Sequence, residues 1–209
     1  SKSRFQYVDL NEVRGNIIKI KEIELYAENF KYQLDSINVD LKMLKGVFES
    51  SESKPFEFTG KVNYSPGTLS LPFFDIVNDK TQVKGSLSLL GKNNSFKDFN
   101  DNVKIALSID NSILDANAIF PNKIKYLHKK PYEISLTASG NLNNLSFKKV
   151  LLQNEMLFFS GDLNFKHFFE EQESDWSTII DDLRLSSKSF EDFETLSNSK
   201  KQILKNLGL

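Results

Sequence analysis

The pattern apolar-x-Gly-x-apolar occurs four times in this chain. The copies are Phe58-Thr59-Gly60-Lys61-Val62, Val83-Lys84-Gly85-Ser86-Leu87, Ala138-Ser139-Gly140-Asn141-Leu142 and Phe159-Ser160-Gly161-Asp162-Leu163. Each sits in a stretch of alternating residues, and alternation at period 2 gives a strand one apolar face and one wet face. A glycine on the apolar side leaves a gap there and lets the strand bend or take a bulge. The spacing predicts a sheet that curves, either around its own core or around an apolar ligand.

Composition narrows the choices. The 209 residues allow one large β domain or two small ones. The 27 Lys and Arg offset 28 Asp and Glu, which leaves no overall field to attract nucleic acid. The short basic spots Lys129-Lys130 and Lys200-Lys201 read as solvated surface. With no cysteine there is no disulfide, thiolate metal site or Cys nucleophile, which fits an oxidising compartment. No apolar run approaches the roughly 20 residues that span a bilayer. Ser1 to Arg14 is charged and polar, unlike a signal peptide, and the chain opens into strand-like sequence. That leaves a cytosolic protein or an internal piece of a longer exported chain, and the strand-like opening favours the second. Eighteen Phe against one Trp supply much apolar area with no polar handle.

Along the chain the phase of alternation changes repeatedly. Ile18 and Ile20 share a face, and Ile23, Leu25 and Ala27 share one of opposite parity, which predicts a turn or bulge near Lys21-Glu22. Phe30, Tyr32 and Leu34 follow, then Ile37, Val39, Leu41 and Met43 after another phase change. Phe56, Phe58, Val62 and Tyr64 make a strand that Ser65-Pro66-Gly67 turns back through Leu69, Leu71 and Phe73. Val83, Leu87 and Leu89 form the next strand, broken by Gly91-Lys92-Asn93-Asn94, and Val103, Ile105, Leu107 and Ile109 another. Residues 115–128 read as irregular or helical, with Asp115 as cap and Pro121 as stop. Strands resume at Ile134, Leu136 and Ala138, and the theme of residues 139–143 returns at 160–164, as in stacked hairpins. Residues 166–181 are acidic and read as a long loop before a short strand at Leu183 and Leu185. From Ser189 the spacing changes to three at Phe190, Phe193 and Leu196. Ser199-Lys200-Lys201-Gln202 resembles a capping box, and Gly208 a stop, so 189–208 reads as two short helices.

The catalytic inventory is thin. His128 and His167 stand apart from any second ligand at metal spacing, and read as surface histidines. Glu170, Glu171, Glu173 and Asp175 lack the Gly and the acid spacing of an EF-hand, and Asp181-Asp182 has no distinguishing context. No dinucleotide, phosphate-loop, nucleophile-elbow or zinc-protease motif is present. Aromatic residues are not interleaved with a basic stripe, so no platform for bases is expected. No enzyme activity, metal or cofactor is expected.

The segments Ile17 to Leu25, Leu34 to Leu41, Leu69-Ser70-Leu71-Pro72-Phe73-Phe74-Asp75 through Val83-Lys84-Gly85-Ser86-Leu87, Ser139 to Phe147 answered by Phe159 to Leu163, and the helical stretch Ser189 to Gly208 carry a resemblance. Together they resemble the TamB family of translocation and assembly proteins, within the AsmA-like group, over most of the chain from about residue 16 to 207. The membrane anchor and C-terminal domain typical of that family are not in this sequence. The resemblance implies a β-taco, a curved antiparallel sheet of stacked hairpins around an apolar concave groove, with short C-terminal helices. It also implies a periplasmic segment of an inner-membrane-anchored protein, with phospholipid acyl chains as cargo. An Omp85-type outer-membrane barrel is the implied partner, and lipid movement or outer-membrane protein assembly the role.

Residues 1–209 are accordingly expected to form one elongated β-rich domain with 189–208 as a helical element. The groove face is expected to comprise Phe56, Phe58, Val62, Leu69, Leu71, Phe73, Val83, Leu87, Leu89, Ile105, Leu107, Ile134, Leu136, Phe159, Leu163 and Phe165. Each buried CH₂ contributes roughly 0.8 kcal/mol, so a sixteen-carbon chain gains on the order of 10 kcal/mol gross. About ten strands give a groove roughly 45–50 Å long. Raw sheet edges predict self-association. Two other readings stay open. One is a β-sandwich interaction or scaffold domain with a filled core. The other is a β-rich hydrolase built around His128 or His167.

Overall fold

The computed structural model describes residues 3–8, 17–48, 55–115, 130–167 and 175–186. The expected irregular segment beyond Asp115, His128, Glu170, Glu171, Glu173 and the C-terminal helices lie outside these residues. What is described is mainly β and antiparallel. Eleven strands run in chain order through one sheet: β1 (Ser3–Val8), β2 (Ile17–Gln33), β3 (Ser36–Phe48), β4 (Pro55–Ser65), β5 (Thr68–Asn78), β6 (Thr81–Gly91), β7 (Val103–Leu114), β8 (Tyr132–Asn141), β9 (Asn144–Gln153), β10 (Leu157–Lys166) and β11 (Asp175–Leu185). The sheet is open, with β1 and β11 at its two ends.

Local chemistry sets the hairpins. Pro66-Gly67 turns β4 into β5, and Gly67 takes a left-handed φ of 67° that a side chain would resist. The Asn141 carboxamide accepts from the Asn144 amide at 2.8 Å and tightens the β8–β9 turn. The only helical pieces among the described residues follow β6: a single turn at Lys92–Asn94 and a short helix, α1 (Phe99–Asn102). The carbonyl of Asn100 and the carboxylate of Asp101 accept from the backbone and side chain of Asn143, at 3.3 and 2.7 Å. These bonds hold α1 across the β8–β9 turn, and Val103 beside it is fully buried.

The odd-numbered strands share a feature that the sequence pattern only hinted at. β3 carries an extra residue around Lys42, β5 at Pro72-Phe73, β7 at Asp110-Asn111, β9 around Lys149 and β11 at Asp181. The bulges fall at one level, so a line of them crosses the sheet at mid-strand. Three of the motif glycines belong to this line. Gly60 pairs with Phe74, Phe74 with Gly85, and Gly161 with Val150. A Cβ on Gly60 would sit 2.8 Å from the Phe73 carbonyl oxygen; on Gly85 it would overlap that of Ser108, and on Gly161 that of Ile179. Each glycine thus makes room for a carbonyl of the following odd strand, close to its bulge. Gly140 is different: with φ 132° it serves the β8–β9 hairpin end, and Leu136 occupies its place in the line.

A bulge frees backbone groups that must find other partners. Here neighbouring side chains supply them. The Asn111 amide donates to Ser135 Oγ at 3.0 Å, and the Lys149 amide to Asp162 Oδ1 at 2.9 Å. Ser112 is buried, accepts from the Lys84 amide at 2.8 Å and donates to the carbonyls of Asp110 and Lys84.

The expected loop over 166–181 is corrected at its end. Residues 175–181 are strand, the first part of β11, and His167 follows β10 with its amide donating to the Asn143 carbonyl at 2.7 Å. Trp176, Thr178 and Ile180 keep the alternation that the surrounding acids disguise. The bulge near Lys21-Glu22 is present, with Glu22 at φ 55°, and β2 continues unbroken through it.

Filling the gap at Gly85 tests the glycine–carbonyl fit. Gly85→Ala should lower stability by about 1–3 kcal/mol through overpacking, and Ser86→Ala should stay within about 0.5 kcal/mol, read as shifts in the urea unfolding midpoint.

Candidate functional site

Cross-strand partners point to the same face of a sheet, so the registers define its surfaces row by row. One row reads Tyr32, Ile37, Tyr64, Leu69, Leu89, Ile105, Gly140, Leu145, Phe165, Trp176 from β2 to β11. The next, from β5 onward, reads Leu71, Leu87, Leu107, Ala138, Phe147, Leu163, Thr178. The bulge line supplies a third, with Leu41, Gly60, Phe74, Gly85, Ile109 and Leu136. A fourth contains Leu44, Phe58, Ile76 and Val83, then Ser112, Ile134, Leu152, Phe159 and Leu183. These rows make one apolar face, about 48 Å across at ten strand spacings.

The registers bring together on this face the expected residues Phe56, Phe58, Val62, Leu69, Leu71, Val83, Leu87, Leu89, Ile105, Leu107, Ile134, Leu136, Phe159, Leu163 and Phe165. All of these are half-buried. Phe73 departs from the set. It sits in the β5 bulge at 53% exposure, and its neighbour Phe74 takes the inward position at 7%. Met43 drops out of its alternating set in the same way, past the bulge at Lys42. Sequence reasoning missed Phe147, which alternates with Leu145 ahead of the β9 bulge, and Phe74, Ile76, Val150 and Leu152, whose parity flips across a bulge. Adjacent polar or kinking residues mark such flips, Lys148-Lys149 in β9 and Pro72 in β5.

Packing within the face is side to side. Phe147 and Phe165 meet edge to face, with ring centroids 5.7 Å apart. Gly46 lies under Ile20 and Phe56, whose atoms a Cβ would meet at 2.7 and 2.9 Å. Among the described residues, full burial of apolar side chains is confined to a few positions: Phe74, Val103, Ile109, Tyr132, Ala138, Leu145 and Val150. No described strand or helix lies over the rest.

The opposite face is polar and small. Its central row runs Lys31, Asn38, Asn63, Ser70, Ser88, Ala106, Ser139, Ser146, Asn164, Ser177. Between it and the row Ser86, Ser108, Thr137 lies a shallow depression of about 510 Å³. Asp75 accepts from Gln82 Nε2 at 2.9 Å, and Lys148 Nζ reaches Asp162 at 2.8 Å. Such exposed pairs contribute about 0–1 kcal/mol each, so this face reads as solvated.

Among the described residues no three His, Cys, Asp or Glu side chains are placed to hold a metal ion, and no helix is long and apolar enough to cross a membrane. No family model, curated protein or solved structure matches the chain.

Asp162 offers a pH test of the bulge contacts. The Lys148 ammonium, and then the Lys149 amide, hold its carboxyl below the usual carboxylate range. A depressed carboxyl pKa adds stability that is complete above the unfolded-state value, about 3.9, and is lost as pH falls through the folded-state value. Asp162→Asn should therefore lower the unfolding midpoint near neutral pH, and the gap to the parent should close progressively below about pH 4.

Proposed function

We propose that the apolar face is a conduit wall for acyl chains, and that the chain is a segment of a bridge-like lipid carrier of the cell envelope. The observation that carries this reading is the state of the face itself. Its longest row runs from Tyr32 in β2 to Trp176 in β11 with only Gly140 lacking a side chain, yet most side chains of the face are only half-buried and no described element covers them. A β-sandwich would bury these rows against a second sheet.

In this reading the bulge line keeps such a face from lying flat in water. Each bulge bends its strand and increases local twist. With one on every odd strand from β3 to β11 at the same level, the bends add along one line, and the glycines of β4, β6 and β10 let the strands close up there. The sheet then folds the apolar rows inward as a trough open along one seam. Acyl chains lie along the trough and headgroups stay in water at the seam. Each buried CH₂ contributes roughly 0.8 kcal/mol without any polar contact, so the wall needs no polar recognition site. Chains slide because successive rows are chemically alike.

The likeness to the TamB family noted in the sequence fits this reading. It extends it to a periplasmic location, phospholipid cargo and an Omp85-type barrel partner for the longer protein.

Native mass spectrometry of protein purified from cells tests the proposal, with phospholipid expected to co-purify. Leu136→Asp, on the wall between Ile109 and the β9 bulge, should keep the strand signal in circular dichroism and lower lipid occupancy several-fold. Loss of folding in Leu136→Asp, together with a lipid-free parent, would instead identify a filled core.

A further inference from the structure

We propose that the two ends of the sheet are complementary, and that β11 of one copy adds as a strand to the free part of β2 in a second copy of this chain. β1 covers β2 only from Ile17 to Ile23. From Glu24 to Gln33, β2 pairs with β3 on one side and with no described strand on the other. β11, with 11 residues, pairs only with β10 among the described strands. Both stretches turn a row of backbone N–H and C=O groups outward, which is a template for strand addition. The two are of about equal length, so β11 fits the gap beside the end of β1.

The registers fix how they meet. The apolar row that begins at Tyr32 ends at Trp176, so a copy set down in line brings its Tyr32 beside Trp176. Strand direction alternates through the sheet, so β11 and the next β2 run antiparallel. The same alignment places Leu25 beside Leu183, because both lie in the row of Phe58 and Phe159. These are large apolar side chains left exposed in the single chain, Trp176 at 69% and Tyr32 at 66%.

Charge agrees with this register. On the polar face Arg184 falls beside Glu24, since both belong to the row of Lys45, Glu57 and Gln153. Asp175 lies one diagonal step from Lys31, whose direct partner is Ser177. Cross-strand pairs of opposite charge favour an antiparallel register. A contact between two different edges leaves a free edge on each end of the pair, so further copies add, as a ring where the rotation closes and as an open line where it does not. The apolar face then continues from copy to copy. The joint depends only on edges and registers, and stands whether or not the face carries lipid.

The chain has no cysteine, so introduced thiols report on the joint alone. In the proposed register Ser177 and Lys31 face each other directly with Cα atoms about 4.5–5.5 Å apart, within disulfide reach. A mixture of Ser177→Cys and Lys31→Cys proteins should form the mixed disulfide under mild oxidation, and neither protein alone should dimerise. In sedimentation velocity the parent should associate as concentration rises. Arg184→Glu should weaken that association by about 2–5-fold, and adding Glu24→Arg to the same chain should restore it. A parent that stays monomeric at high concentration would overturn the proposal. So would a Ser177→Cys homodimer as abundant as the mixed one.

Discussion

A single antiparallel sheet whose strands alternate puts every second side chain on one face, with the parity reset at each bulge, and in this molecule that face is apolar across the ten strands from β2 to β11. Water penalises it at roughly 25 cal/mol per Å² of apolar surface. A second layer is the ordinary remedy, and no described element provides one. Side chains on the face therefore shield each other, and most end half-buried, with full burial only at a few places such as Phe74, Ile109 and Val150. The polar face needs no remedy: its serines, asparagines and ion pairs are at home in water.

The bulges and glycines are coupled devices within that constraint. An extra residue in β5, β7 or β11 pushes a carbonyl toward its even neighbour, and Gly60, Gly85 and Gly161 leave the space it needs. The freed amides and carbonyls are taken up by Ser112, Ser135 and Asp162. A two-strand unit results, a glycine strand followed by a bulged one, and it recurs along the sheet. Stacking such units lengthens the apolar face strand by strand, and an edge-to-edge joint between copies would extend it.

Much of this was legible in the alternation. The hairpin at Pro66-Gly67, the break after Gly91 and the antiparallel order follow from turn chemistry and period-2 patterns, and most of the apolar face follows from parity. Parity failed where an extra residue reset it. Phe73 continues the count from Leu69 and Leu71, but the bulge at Pro72 hands the inward position to Phe74. In β9, Lys148-Lys149 does the same for Val150 and Leu152. β11 was obscured differently: the acids Asp175, Asp181 and Asp182 gave it the composition of a loop, although Trp176, Thr178 and Ile180 alternate beneath them. Glycine marked the bulge line only indirectly, because the extra residue lies on the partner strand and not on the glycine's own. Gly140 carries the same motif and does another job.

Whether hydrocarbon reaches the apolar face is measured on β7. Single cysteines at residues 104 to 108, each carrying a small environment-sensitive fluorophore, sample both faces in turn. Quenching by a fatty acid with a nitroxide on its chain should alternate along the strand, strong at positions 105 and 107 and weak at 104, 106 and 108. Quenching that does not alternate, or odd positions closed to both label and quencher in the folded protein, would contradict an open apolar face.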